Sequence, residues 1–373
     1  MAGDYEIWLT TDYGVRLALL DDILWFSASR DTGKIGFFEG QFRKAFDTDL
    51  VHPDYMIQVW RAPTGERLSL WRPYFIRKWR FETSGSEEYL SVSGPCVNDL
   101  LRRRIVAAYA GSSQSDKSGY ADDMMKAIVT EAMSNSAAPV PEAGTRAWPN
   151  LSVAVNLSAG PLLVESCSFD VLLTSSGGGI LSDIAKAARE AGTEVFFDVV
   201  PNVVASNSIS FQFRTYTGQP GMDVSNRVVF DKEMGNFADP YLEYDFLNEE
   251  NYIYAGGRGV GDDRNVQQVY DAGRYGVSCW NRCEGFADAR DQEAANGVRE
   301  AGRAALERGR PKVRVGGAPI DTEGARFGRD WDFGYRVRAR YREMEFVSIV
   351  KSIIIGVDEG GREIILTKLE REE

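Results

Sequence analysis

Apolar and polar positions alternate through much of the first hundred residues. Tyr5, Ile7 and Leu9 fall on one side of a two-residue period, and Glu6, Trp8 and Thr10 on the other. That is the pattern of a half-buried strand. The turn-forming Thr11-Asp12-Tyr13-Gly14 follows, then a second run from Val15 to Leu20, so the spacing predicts a hairpin. Met56–Arg61 and Glu66–Trp71 flank Ala62-Pro63-Thr64-Gly65 and predict another. Arg77, Trp79 and Phe81 alternate with Ile76, Lys78 and Arg80, and Tyr89–Ser93 supplies one more strand. Short strands at this spacing indicate a barrel or sandwich.

The period then lengthens. Asn98–Val106 has helical spacing, with Leu100, Leu101 and Ile105 on one side and Arg102, Arg103 and Arg104 turned outward. Ala110–Ser118 is small and polar and reads as a loop. Tyr120–Met133 reads as a helix through Met124, Ile128 and Val129, with Asp122 and Asp123 favourable near its N-terminus. Residues 134–150, rich in Ala, Pro, Ser and Asn, read as a linker. Between Ser175 and Gly192, Ile180, Leu181, Ile184, Ala185 and Ala188 make an apolar helical face that Gly192 terminates.

Strand character returns with Glu194–Val200 and with Ile209, Phe211 and Phe213 against Ser208, Ser210, Gln212 and Arg214. Residues 207–288 stay mostly β, and 290–309 form an Ala/Arg/Glu helix closed by Gly309 and Pro311. Near the C-terminus Tyr335, Val337, Ala339 and Tyr341 oppose Arg336, Arg338, Arg340 and Arg342. Phe346–Val357 and Glu363–Leu369, joined by Asp358-Glu359-Gly360-Gly361, predict a closing hairpin. The order β, then mixed, then β predicts an α+β, predominantly β chain with β domains at both ends.

Length and composition narrow the function. The 373 residues suit several domains, and 43% hydrophobic content is enough for real cores. Aromatic residues, at 12%, favour strands and contact surfaces. The net charge of −12 argues against a typical nucleic-acid binder and suits a wall that DNA passes without sticking. Four cysteines are too few for a disulfide framework. The N-terminus lacks a signal-peptide pattern, and no apolar run is long enough to span a membrane. The expectation is a soluble chain made in a reducing cytoplasm.

Candidate chemistry is sparse. His52, between two predicted strands, is the sole histidine, which excludes a multi-histidine metal site and leaves a triad without a GxSxG serine. Cys279 and Cys283 form a CxxxC pair. On a strand they would lie about 13 Å apart, too far for a disulfide. Ser176-Gly177-Gly178-Gly179 precedes a helix but lacks the Lys-Ser/Thr of a phosphate loop. Gly256–Gly261 runs into Asp262-Asp263-Arg264 rather than a helix. Asp330 and Asp332, and Glu243 and Asp245, are carboxylate pairs about 6.5 Å apart at strand spacing, near the inverting-glycosidase range. With 55 acidic residues, such pairs arise by chance. No catalytic, cofactor-binding or metal residue is assigned.

Four ordered stretches carry a resemblance. The first joins Ile57–Arg61 to Leu90–Gly94 and Asn98–Val106; the second joins Phe211–Phe213 to Arg227–Phe230 and Gly235-Asn236. The third joins Gly256–Gly259 and Arg264 to Arg282–Asp291, and the fourth is Asp330–Val337. Together they resemble the tail (baseplate) hub proteins of long-tailed siphophages. Tyr335 stands where that family usually has Asp, and Thr217–Pro220 replaces a common Asp-Arg dipeptide.

The resemblance implies two tube-forming β-barrel-like domains near the termini, with mixed α/β insertions between them. Residues 1–108 and 311–373 would be the tube domains and 109–200 a mixed insertion. Residues 201–310 would be a β-rich domain with a closing helix, part of which can complete the second barrel. It implies a non-enzymatic homotrimer at the virion tail tip, assembled in the host cytoplasm, matching a six-fold tube to a three-fold tip. Its expected partners are the distal tail protein or tube ring above and tip, fibre or receptor-binding proteins below. The tape-measure C-terminus would occupy the lumen, and DNA would pass without specific binding. The alternative reading is a tail-associated wall-degrading glycosidase or a carbohydrate-binding adhesion module.

Overall fold

The computed structural model describes residues 4–43, 48–63, 66–107, 115–133, 146–148, 150–167, 169–205, 208–290 and 292–371. Strands account for 47% and helices for 15%, so the protein is predominantly β. It divides into two compact units. The first comprises Met1–Ala188, Thr193–Tyr241 and Val315–Glu373; the second comprises Leu242–Arg314 with Arg189–Gly192.

The first unit opens with β1 (Asp4–Thr10) and β2 (Arg16–Leu19), the expected hairpin, with Trp8 opposite Leu19. Gly14 turns the chain at φ +85°, a left-handed conformation that glycine adopts without strain. Next come β3 (Ile23–Asp31) and β4 (Phe37–Arg43), which pair with each other. The alternation rule passes over them because Leu24-Trp25-Phe26 and Phe37-Phe38 set apolar residues on both faces. The hairpin of β5 (Met56–Ala62) and β6 (Ser69–Phe75) follows, then that of β7 (Lys78–Ser84) and β8 (Glu87–Pro95). Thr64 and Gly65 of the first turn lie outside the described residues.

Only Asp99–Arg102 (α1) of the helix expected over Asn98–Val106 is helical. Beyond it, Val106 N donates to Asp170 O and Leu172 N to Arg104 O, so a bridge to residues 169–172 takes the backbone groups a longer helix would need. The expected loop over Ala110–Ser118 likewise differs. Ser115–Tyr120 is a strand, β9, while residues 110–114 lie outside the description. The helix α2 (Ala121–Met133) matches expectation, and most of the expected linker, 134–145 and 149, is not described.

β10 (Leu151–Val153) and β11 (Leu162–Cys167) lead to α3 (Ile180–Glu190), β12 (Val195–Ala205) and β13 (Ser208–Thr217). β11 pairs with β9, and β10, β13 and β12 form a three-stranded sheet. Met125, Ile128 and Val129 of α2, Leu181 and Ile184 of α3, and Val199, Phe211 and Phe213 of the sheet share one core. The chain continues through β14 (Val229–Phe230) and β15 (Phe237–Asp245).

In the second unit lie β16 (Tyr252–Gly256), β17 (Val266–Tyr270), the one-turn α4 (Ala272–Tyr275), β18 (Glu284–Asp288) and α5 (Ala295–Arg308). Their sheet runs β17-β16-β18. Ile253, Ala255 and Ala287 from one face pack with Val298, Ala305 and Leu306 of α5. Gly302 is required there, since a β-carbon would press into Val269 and Ala255.

The first unit closes with β19 (Lys312–Pro319), β20 (Arg336–Tyr341), β21 (Met344–Val357) and β22 (Glu363–Arg371). Two sheets result from the terminal strands. One is β2-β1-β5-β6; the other has ten strands, β15-β19-β22-β21-β3-β4-β8-β7 in a row, with β20 and β14 branching from β21. The 14-residue β21 makes the join: residues 344–349 pair with β20, and 352–357 pair with β3, Ile355 opposite Ala28. Strands from the two ends of the sequence thereby share one sheet.

Candidate functional site

The densest chemistry in the first unit is a buried charge junction. Arg72, on β6 between Trp71 and Pro73, is 1% exposed. Its two terminal nitrogens donate to Asp198 of β12 at 2.7 and 3.0 Å. Arg30 of β3 donates to the same carboxylate at 2.8 Å. Asn98 Oδ1 accepts from Arg72 at 3.0 Å and from Val199 N at 2.9 Å, and its amide donates to Lys34 O. Burial alone would raise the Asp198 pKa, but Arg72 and Arg30 overcome it and hold the carboxyl at about 2.

Arg30 lies over the Phe333 ring, 4.1 Å from its centroid. Phe333 sits in the Asp330–Gly334 bend, whose Trp331 is fully buried against Phe230 and Phe327. The Trp331 indole donates to Ala325 O at 3.1 Å. Beside Arg30 and Asp198 is a cavity of about 30 Å³, lined also by Thr32, Tyr216 and Phe333. It has room for a water molecule, whereas small-molecule substrate pockets are typically about ten times larger or more.

A second junction links the two terminal regions. Arg61 of β5 donates through Nε to Glu363 of β22 at 2.9 Å and to Tyr5 Oη at 3.2 Å. Its Nη1 reaches Phe327 O at 2.9 Å, and Asp321 lies 3.5 Å from Nη2. Tyr5 donates to Glu363 at 2.5 Å. Burial, then the Glu363 charge, push the Tyr5 phenol well above its ordinary range.

The residues weighed for chemistry are scattered. His52 is exposed and packs edge-on against Tyr55, with ring centroids 4.9 Å apart. Cys279 and Cys283 do not share a strand, because α4 and a turn precede β18; Cys279 is exposed. The backbone N–H groups at the start of α3 are taken by carbonyls of Val171, Leu172 and Gly179, so none faces a phosphate. Gly256 and Gly257 carbonyls accept from Arg264 within a turn between β16 and β17. Asp330 accepts from Arg326 N, and Asp332, raised by burial, accepts from Phe333 N. Glu243 and Asp245 share Arg314 at 2.9 and 3.7 Å. Among the described residues no three His, Cys, Asp or Glu side chains converge as a metal set, and no helix is long and apolar enough to cross a membrane.

Sequence reasoning missed Arg30, Arg61, Arg72, Asp198 and Glu363. The available signal was a charge at an inward strand position, as in Trp71-Arg72-Pro73-Tyr74 and Phe197-Asp198-Val199.

This architecture is a phage tail-protein fold. It matches the prophage MuSo2 43 kDa tail protein from Shewanella oneidensis with a TM-score of 0.57 and 12% identity, over 99% of this chain and 98% of that one. A tail protein from Neisseria meningitidis MC58 matches with a TM-score of 0.59 and 12% identity, over 99% and 97%. A chain of the half-lidded Francisella PdpA–VgrG complex matches with a TM-score of 0.52 and 7% identity, over 100% of this chain and 58% of that one. No curated protein sequence matches. The chain belongs to the family of Siphovirus ReqiPepy6 Gp37-like proteins, whose model covers residues 72–367. Family membership makes it a siphovirus-type protein, and its fold is one it shares with phage tail proteins.

Proposed function

We propose that the protein is the hub of a siphophage tail tip, a homotrimeric ring that adapts the six-fold tail tube to the three-fold tip. Each subunit supplies two tube-forming parts, residues 1–108 and 311–373, giving six around the lumen. The tape-measure C-terminus occupies the lumen, and DNA passes through it during ejection. A distal tail protein or tube ring docks above, and tip, fibre or receptor-binding proteins dock below. The subunit is made and assembled in the host cytoplasm and acts without catalysis.

The observation that carries this reading is the pairing of β3 with β21, beside which Arg61–Glu363 ties β5 to β22. It places strands of the two terminal β regions in one hydrogen-bonded sheet, as a load-carrying ring segment requires. A lumen with net negative charge would reduce phosphate adhesion, consistent with the charge of −12. Mass photometry with negative-stain imaging of the purified protein tests it. A three-fold ring with a central opening is expected; a monomer that clears peptidoglycan would sink the proposal.

A further inference from the structure

The second unit carries an unprotected sheet edge. β17 pairs only with β16, so its other side is open. Hydrogen-bonded residue pairs alternate along an antiparallel ladder. Asp271 N donates to Asn251 O at 3.1 Å and Gly257 N to Asn265 O at 2.7 Å. With Ile253 opposite Val269 and Ala255 opposite Gln267, those residues face β16. The N–H and C=O groups of Val266, Gln268 and Tyr270 therefore point away from it, and none has a hydrogen-bond partner among the described residues.

The side chains leave this edge approachable. Val266 is 47% and Tyr270 50% exposed. Three other sheet borders among the described residues are guarded. β7 presents Lys78, Arg80 and Glu82, β12 contains Pro201, and β15 contains Pro240. Charge and proline are the usual devices against unwanted strand pairing. β17, Val-Gln-Gln-Val-Tyr, has neither.

A stack of planar groups also runs toward the edge. Arg282 lies 3.9 Å from the Tyr252 ring centroid, and Tyr252 stacks on Tyr270 at 5.0 Å with 7° between planes. Glu284 and the Tyr254 hydroxyl fix Arg282 at 2.7 and 3.0 Å, and Gln268 accepts from the Tyr252 hydroxyl at 2.7 Å. The stack is thus preordered, and it ends on the exposed Tyr270.

We infer that β17 receives an extended segment of a different protein by strand addition. Only a polypeptide backbone matches the alternating donors and acceptors of the edge. The uncharged row Val266, Gln268, Tyr270 fits a segment uncharged at the facing positions. An aromatic side chain of that segment would continue the stack on Tyr270. Two copies joined through the same edge would need a two-fold axis, which a three-fold ring does not contain. That last point alone rests on the proposed hub.

The test pans a displayed library of short random peptides against the full-length protein, then measures amide exchange with the enriched peptides bound. Uncharged, extended peptides with an aromatic residue should bind and slow exchange across 266–270 by about tenfold or more. Gln268→Pro removes one outward N–H, no backbone bond to β16 and the side-chain bond from the Tyr252 hydroxyl, which Gln268→Ala also removes, and should abolish binding. Gln268→Ala should retain it. Absence of enriched peptides, binding indifferent to Gln268→Pro, or self-association that Gln268→Pro removes would each overturn the inference. In purified tails, a photo-crosslinking residue at position 270 should capture another tail protein. If peptides bind but the chain is absent from tails, the hub reading fails and the edge assignment stands.

Discussion

Arg72 and Asp198 meet in a two-pronged ion pair at 2.7 and 3.0 Å, fully inside the protein and 126 residues apart in sequence. Asp198→Asn leaves Arg72 and Arg30 facing each other with their shared counter-charge gone. The expected loss is about 3–5 kcal/mol of unfolding free energy, read from urea titration. Replacing Arg30, Arg72 and Asp198 together by apolar residues of similar size should cost much less. Equal losses would assign the effect to packing rather than charge.

The same carboxylate sets an acid response. Its folded pKa of about 2 lies below the ordinary value of 3.8. The ionised form therefore stabilises the fold above the ordinary value, and that contribution is lost as pH falls toward 2. It amounts to about 2–3 kcal/mol. Between about pH 4 and 2, wild type should lose stability more steeply than Asp198→Asn. Parallel pH profiles would exclude the assignment.

Asp332 behaves in the opposite sense. Burial raises its pKa, with Arg30 opposing, so ionisation at neutral pH disfavours the folded state. Asp332→Asn keeps an oxygen able to accept from Phe333 N. It should raise the melting temperature at pH 7, and the gain should vanish in acid. A lower melting temperature at pH 7 would show that the charge is needed.

Burial should separate structural from decorative ion pairs. Arg61 and Glu363 are 3% and 8% exposed, whereas Arg303 and Glu300 of α5 are 60% and 66% exposed. A double-mutant cycle should give a coupling above about 1 kcal/mol for the first pair and below about 0.5 kcal/mol for the second.

Two glycines offer a steric contrast. At Gly94, in β8, a β-carbon would collide with the Phe75 carbonyl oxygen, whereas at Gly85, φ +65° in the β7–β8 turn, it meets nothing. Gly94→Ala should cost about 3 kcal/mol or more, and Gly85→Ala about 1 kcal/mol, from backbone conformation alone. Chemical denaturation distinguishes them.

Local chemistry made the hairpins legible. Gly14 and the Asp358–Gly361 turn mark theirs, and Gly192 marks the end of α3. The strands β3 and β4 stayed hidden because apolar residues on both faces erase a two-residue period. Helical spacing over Asn98–Val106 misled because a bridge to distant residues overrode local preference. The charge junctions were illegible for a related reason. An arginine in a strand reads as a solvent-facing residue until its partner is known, and Arg61 finds Glu363 302 residues away.

The pairing of β3 with β21 also fixes when the protein can become itself. β3 emerges from the ribosome more than 300 residues before the strand that covers its edge. Closing a loop of that length is entropically unfavourable and slow compared with forming local hairpins. Early hairpins can form during synthesis, but the ten-stranded sheet can close only after β21 has been made. Assembly that depends on this sheet is therefore withheld from unfinished chains, and a chain truncated before β21 would expose β3 as an adhesive edge.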